Sequence, residues 1–319
     1  MKRNSLPIGL GTASIGRPHY INIRQEKAAR FSLESFKAQG LMMLEEAYRQ
    51  GIRYFDTAPG YGIAEQMMID WLEMHPYEDV EVATKWGYTY TANFDVNATI
   101  HEVKEHSLAK LNEQWEQSQQ LLPHLTTYQI HSATFESGVL TNQEVHQRLA
   151  GLKTQHGLHI GLSSSGANQL AVLQSAVNIE VEGTPLFDIF QVTYNVLDQS
   201  LFDLIRQLVS QGKRVVIKEA LANGRLFPNP AYPHYEQLYR ELQQLATKYE
   251  VGIDAIALRF CADSVKPFSV LSGASQPQHI TDNLKAAAFE LEAAEVQQLR
   301  EMQVKPEAYW GERKQLGWG

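Results

Sequence analysis

Eight short runs rich in β-branched and aromatic residues recur along the chain: PIGLGTAS, IRYFDTA, VEVATKW, TTYQIHSA, LHIGLSSS, FDIFQVTY, RVVIKEA and FSVLSGA. Between them lie longer segments such as GLMMLEEAYRQ, IHEVKEHSLAKL, NQEVHQRLAGLK, SLFDLIRQLVSQ and YEQLYRELQQLATKY, whose apolar residues return at three and four positions. That period marks a helix with one buried face. Alternating strand and helix implies a mainly parallel sheet, and eight units with no composition break or long linker favour closure over an open sheet. The expected fold class is α/β: a single (β/α)8 TIM barrel, one domain over residues 1–319. The first run is the least regular, and PIGLGTASIG is also compatible with an N-terminal hairpin.

Composition narrows the function classes. The chain is 44% hydrophobic and 20% charged, as ordinary globular proteins are, and its formal charge of −8 without a Lys/Arg cluster argues against nucleic acid and anionic lipid as partners. No apolar run approaches the ~18 residues a membrane span needs, and the N-terminus lacks the apolar core of a signal peptide. The expectation is a cytoplasmic protein acting on small molecules. Its one cysteine, Cys261, sits in an apolar helical context that suits inert packing.

Three consecutive strands end in polar residues: the second in Asp56, the third in Lys85, the fourth in His131. In a β/α barrel the C-terminal strand ends carry the chemistry. Strands lie about 4.8 Å apart, so Lys85 can reach Asp56 on one side and approach His131 on the other. The APGYG turn after Asp56 brings Tyr61 back over the same mouth. Each residue alone has a structural reading: a turn cap, a loop aromatic, a rim charge, a satisfied barrel histidine. Together they suit proton transfer. A free phenol ionises near pH ~10, too high for exchange at neutral pH, and a nearby ammonium favours its ionised form. Asp56 would hold that ammonium while diluting its field, so a moderate lowering is expected. His131 as a neutral imidazole could orient a substrate oxygen.

The runs GIRYFDTAPGYGIAE, ATKWG, YQIH, IGLSS, FQVTYN and SGASQPQHITDNL, in that order, resemble the aldo-keto reductase superfamily from GLGTAS to about residue 290. The resemblance implies a barrel reductase that moves hydride between a nicotinamide cofactor and a carbonyl or alcohol, acting on a small carbonyl or sugar substrate. The catalytic Asp, Tyr, Lys and His of the family fall on Asp56, Tyr61, Lys85 and His131. The pair that holds the carboxamide falls on Ser163 and Ser164, the second a departure from the usual asparagine, with Gln191 matching the family glutamine. Lys218 stands near the position of the residue that packs on the nicotinamide, where no aromatic is present. Leu221, Asn223, Gly224 and Arg225 occupy the pyrophosphate loop, and Thr12, Ala13 and Gly273 complete the expected cofactor set.

The family's grip on a 2′-phosphate falls on Ser275, His279 and Asn283, placed at the start of a helix, where free backbone amides favour an anion. NADP(H) is therefore expected over NAD(H), which remains possible, by the modest margin that a histidine in place of the family's arginine or glutamine implies. Trp86 and Tyr88, leaving the third strand, are pocket-wall candidates. The C-terminal KPEAYWGERKQLGWG, with Tyr309, Trp310 and Trp318, resembles the family segment that folds over the catalytic face, and Trp310 is a further substrate candidate. The polar NEQWEQSQQLLPH at 112–124 reads as a helix extension away from that face.

Three other readings compete. A Schiff-base lyase could use Lys85, but a neighbouring carboxylate favours ammonium over free amine. A Rossmann dehydrogenase would need G-x-G-x-x-G spacing, which GLGTASIG lacks. A non-catalytic cofactor-binding redox sensor would have no use for four intact catalytic residues.

Overall fold

The computed structural model describes residues 6–18, 32–95 and 98–317. In chain order its strands are β1 (Ile8–Gly11), β2 (Tyr54–Asp56), β3 (Glu81–Trp86), β4 (Tyr88–Tyr90), β5 (Glu102–Lys104), β6 (Leu125–Ile130), β7 (His159–Ser163), β8 (Glu180–Val181), β9 (Thr184–Pro185), β10 (Ile189–Thr193), β11 (Arg214–Lys218) and β12 (Ser269–Ser272). Eight of them close into a barrel in the order β1-β12-β11-β10-β7-β6-β3-β2. Every pairing is parallel, and each of the eight runs seen in the sequence supplies one strand. β1 settles the ambiguity of the first run: Ile8 lies opposite Val270 and Leu10 opposite Phe55, so it is a barrel strand and not a hairpin arm.

Some helices start at a capping side chain ahead of an apolar face. Leu33–Arg49 starts at Ser32, whose hydroxyl accepts from Ser35 N, and buries Met43, Leu44 and Ala47. The sequence expectation of a helix from residue 100 needs correction. Glu102–Lys104 pairs antiparallel with Tyr88–Tyr90, and the helix Leu108–Ser118 begins only after Ser107 caps it. A β-branched alternation followed by a serine cap outweighed the helical spacing.

Side-chain parity sorts the barrel interior. Tyr54, Ala83, Ile189, Val216 and Leu271 form an apolar cluster of their own, separate from the larger one in the helix layer. Asp56, Lys85 and Gln191 lie two residues beyond members of this cluster and face the same lumen, toward the C-terminal strand ends. No described helix is long and apolar enough to cross a membrane.

The loop that carries Tyr61 packs backbone to backbone on the segment after β1. Ile63 N donates to Gly16 O at 2.9 Å, and Gly62 has φ +68° with the position of a Cβ only 2.3 Å from Gly16 O. Gly62→Ala should therefore cost about 2 kcal/mol or more, combining left-handed strain with a backbone clash. Gly51→Ala, at φ +100° with nothing within 4 Å, should cost only about 1 kcal/mol. Urea unfolding midpoints of the two variants would check the contrast.

Candidate active site

Lys85 is completely buried, and its Nζ donates to Asp56 Oδ2 at 2.5 Å, Thr57 O at 3.1 Å and Tyr61 Oη at 3.2 Å. Three donated bonds describe an ammonium with no lone pair to attack a carbonyl, which counts against the Schiff-base reading. Asp56 Oδ1 accepts from Gln191 Nε2 at 2.7 Å, a bond that crosses the lumen from β10 to β2. Tyr61 Oη lies 3.5 Å from His131 Nε2, with the two rings edge to face. Thus the four expected catalytic side chains stand together. His106 Nε2 meets the His131 carbonyl at 2.9 Å, and burial holds His106 down at about 4, neutral.

The electrostatics give Tyr61 a definite resting state. Burial first, and Asp56 second, push its phenol well above the usual range, with Arg17 opposing. The lowering expected from Lys85 is outweighed by burial. Tyr61 therefore keeps its proton in this site. Its oxygen accepts from Lys85, which leaves the O–H free to point at a ligand. Burial, then Lys85 and Arg17, drive His131 well below the ordinary histidine range, so it is a neutral imidazole.

A cavity of about 590 Å³ opens from Asp56, Tyr61, Gln191 and Lys218, passes Ala13, Leu221, Asn223, Gly224 and Gly273, and reaches His279, Asp282 and Asn283. Its size is that of a cofactor site. Two observations fit a nicotinamide dinucleotide: a Cβ on Gly273 would meet no atom within 4 Å, leaving an open cradle in the cavity wall, and Ser164, outside the lining but donating its N–H to the carbonyl of the lining Gln191 at 3.1 Å, has a buried Oγ with no hydrogen-bond partner among the described residues. Lys218 Nζ donates to Thr193 Oγ1 at 2.7 Å and Ser165 Oγ at 2.9 Å.

Most of the other expected residues do not line this cavity. Thr12 is buried and donates through Oγ1 to Asp56 O, and Ser163 Oγ accepts from Ser132 N, so both shape strand ends. Arg225 turns away to Tyr309 O and Glu312, a fully buried guanidinium under the C-terminal helix Pro306–Gln315. Trp86 adjoins Lys85 on its strand and so faces outward, packed on His106 in the helix layer. Trp310 is buried and donates to Asp198, docking the tail on the loop after β10. Trp318 lies outside the described residues. Ser275 precedes the helix Pro277–Leu284 instead of starting it, and Asn283 is held between Ser272 and Asp254. Tyr88, half-buried, stands 4.7 Å from the His131 ring, and remains beside the catalytic group.

Sequence reading missed several contributors. Ser14, Glu219, Phe227, Asp254 and Asp282 line the cavity. Glu219, next to a strand end, carried the same signal as Asp56, whereas the others lie in turns and helices with no spacing to mark them. Gln114, in the polar stretch read as remote, bonds Gly87 N at 2.7 Å and Tyr88 O at 2.8 Å, fixing the turn that presents Tyr88. Cys261 is buried and inert, its thiol pushed up by burial. No cluster of metal-ligating side chains occurs among the described residues.

A closed β/α barrel whose strand-end cavity joins a protonated phenol to a long backbone-lined cleft defines a barrel oxidoreductase, which sets aside the Rossmann reading. The profile of the Aldo/keto reductase family matches residues 7–304, and the chain belongs to that family; it is an NAD(P)H-dependent oxidoreductase. It is 28% identical over 261 residues to the L-galactose dehydrogenase of Arabidopsis thaliana, covering 78% of each protein. It is 25% identical over 288 residues to the NADH-specific methylglyoxal reductase of Escherichia coli (strain K12), covering 81% of this chain and 85% of that one. The fold is similar to that of the glycerol dehydrogenase AKR11B4 from Gluconobacter oxydans, with TM-score 0.70 at 20% identity over 92% of this chain and 90% of that one.

Behind β3, Glu65 is buried against the Thr84 and Ser118 hydroxyls, and burial raises it from 4.5 to about 7. A raised carboxyl contributes stability that is fully present below pH ~4.5 and lost as pH rises through 7; the shift amounts to about 3 kcal/mol. Glu65→Gln should therefore gain stability relative to the native protein as pH goes from 5 to 8, read from urea midpoints at both. A constant difference would show that Glu65 ionises equally in both states.

Proposed function

We propose that the enzyme reduces a small aldehyde or ketone, or oxidises the corresponding alcohol or sugar, with Tyr61 as proton donor and acceptor. The observation that carries this reading is the Tyr61 hydroxyl standing 3.2 Å from Lys85 Nζ and 3.5 Å from His131 Nε2 at the cavity end. The nicotinamide dinucleotide, when bound, supplies or accepts the hydride. Neutral His131 donates from Nε2 to the substrate oxygen and holds it beside Tyr61. Tyr61 gives its proton to that oxygen, and the Lys85 ammonium, anchored by Asp56, stabilises the phenolate left behind. In the oxidative direction the phenolate takes the proton back. Tyr88 walls the substrate side. Relatives bearing the names of dehydrogenases and reductases of sugars and methylglyoxal support a small oxygenated substrate.

Tyr61→Phe should lose about 10²–10⁴-fold in turnover while leaving cofactor affinity nearly unchanged, because the phenol acts on the substrate oxygen. Near-normal reduction by this variant across a panel of aldehydes, ketones and sugars would overturn the assignment of Tyr61, whereas absence of turnover by the native protein on that panel would favour the redox-sensor reading.

For the cofactor, Gln191, Ser164, Asn223 and Gly224 would hold the nicotinamide and pyrophosphate portions, and the helix Pro277–Leu284 the adenosine end. We propose NADP(H) over NAD(H) by less than about tenfold, or ~1.4 kcal/mol. His279 favours a 2′-phosphate, and the Asp254 and Asp282 carboxylates in the same wall oppose it. His279→Gln should remove the preference and Asp254→Asn enlarge it, measured as dissociation constants for both reduced cofactors by protein fluorescence. Tighter NADH binding by the native enzyme would show that His279 does not read the 2′-phosphate.

A further inference from the structure

Lys218 is a partly buried cation lining the cavity whose nearest partners are neutral. Its Nζ is fixed by Thr193 Oγ1 and Ser165 Oγ, while Glu219 Oε1 stands farther off at 3.8 Å and is itself taken by Arg313 Nη2 at 2.5 Å. The two anchoring hydroxyls locate it. Ser165 follows Ser164, and Thr193 lies two residues beyond Gln191, the side chains that would hold the nicotinamide carboxamide. An ammonium is thus pinned next to the place where the ring is expected. Oxidised nicotinamide carries a positive charge and the reduced ring carries none, so a neighbouring cation repels one form and tolerates the other.

We propose that Lys218 sets the redox bias of the site, weakening the oxidised dinucleotide relative to the reduced one and so favouring carbonyl reduction. The inference rests on the cofactor reading above and adds a role for this residue. The difference is specific to the ring, because both forms carry the same pyrophosphate. Charges facing Lys218 come from several elements: Glu219 beside it, Arg313 from the C-terminal helix, Lys85 from β3 and Asp198 from the loop after β10. Burial first, then Arg313 and Lys85, bring Lys218 from 10.5 to about 8, with Glu219 and Asp198 opposing. The bias is consequently strongest below pH 8 and relaxes above it, as the ammonium loses its proton.

The test compares dissociation constants of oxidised and reduced forms of one cofactor by protein fluorescence, from pH 7 to 9. In the native protein the ratio of oxidised to reduced should fall severalfold across that range. In Lys218→Met it should be about tenfold lower at pH 7 and flat with pH, whereas Lys218→Arg, always charged, should keep the high ratio at every pH. An unchanged ratio in Lys218→Met overturns the proposal. Should that variant fail to fold, a pH-independent ratio in the native protein overturns it equally. Failure of the native protein to bind either form would remove the cofactor reading itself, a result distinct from binding with an unaltered ratio.

Discussion

The Asp56 carboxylate is the point on which the barrel mouth depends. It is buried, and a buried charge is costly unless paired and hydrogen-bonded. Here one oxygen takes the Lys85 ammonium and the other the Gln191 amide, so three strands, β2, β3 and β10, meet on one group. β2 and β10 stand on opposite sides of the closed sheet, and the contact braces the lumen where the apolar layer ends. Removing either partner would leave an unsatisfied charge at the centre of the mouth, which sets a heavy penalty on rearranging it. The rigidity that orients Lys85 toward Tyr61 comes from this bracing.

Tyr61 is held differently, by a loop whose backbone must touch another. The contact between Gly16 and the Tyr61–Gly62 segment places the phenol, and Arg17, buried between Gly60 O at 3.2 Å and Glu102 at 2.7 Å, locks the same loop to β5. His131 and Tyr88 are set by His106 and Gln114 in turn. A rigid strand-end pair and loops fastened by specific polar contacts divide the labour: the pair fixes the charges, the loops bring the Tyr61 phenol to them.

The fold and the meeting of Asp56, Lys85 and His131 at one mouth were legible because they obey local rules. Strand runs alternated with helix periodicity, and Asp56, Lys85 and His131 marked strand ends whatever the loops did. Parity was also available: Trp86 follows Lys85 on one strand and had to face the opposite way, a rule that the aromatic character of the residue obscured. Residues such as Arg225 and Trp310 could not be placed in advance, since each is claimed by a helix far along the chain, and tertiary partners of that kind leave no trace in spacing. Gln114 is the same case in reverse, a polar residue in an unremarkable helix that reaches the turn before Tyr88. The Tyr61 electrostatics needed the structure too, because the balance between burial and the Lys85 field turns on how deeply the phenol is buried.

The C-terminal helix lies beyond the span matched by the family profile, yet it reaches the catalytic end of the barrel through polar contacts. Burial pushes the Glu219 carboxyl up, but Arg313 and Lys218 outweigh it and hold Glu219 at about 2, fully ionised. Tyr309 accepts a bond from Asn195 and covers Arg225, while Trp310 ties the helix to Asp198. These groups ring the side of the cavity where Lys218 stands. The barrel proper supplies a neutralised pair, Lys85 with Asp56, next to Tyr61, and the tail contributes a second set of charges on the Lys218 side. On the proposed reading, proton transfer and charge at the ring position are then set by separate parts of the chain, and a change in the tail should alter the second without disturbing the first.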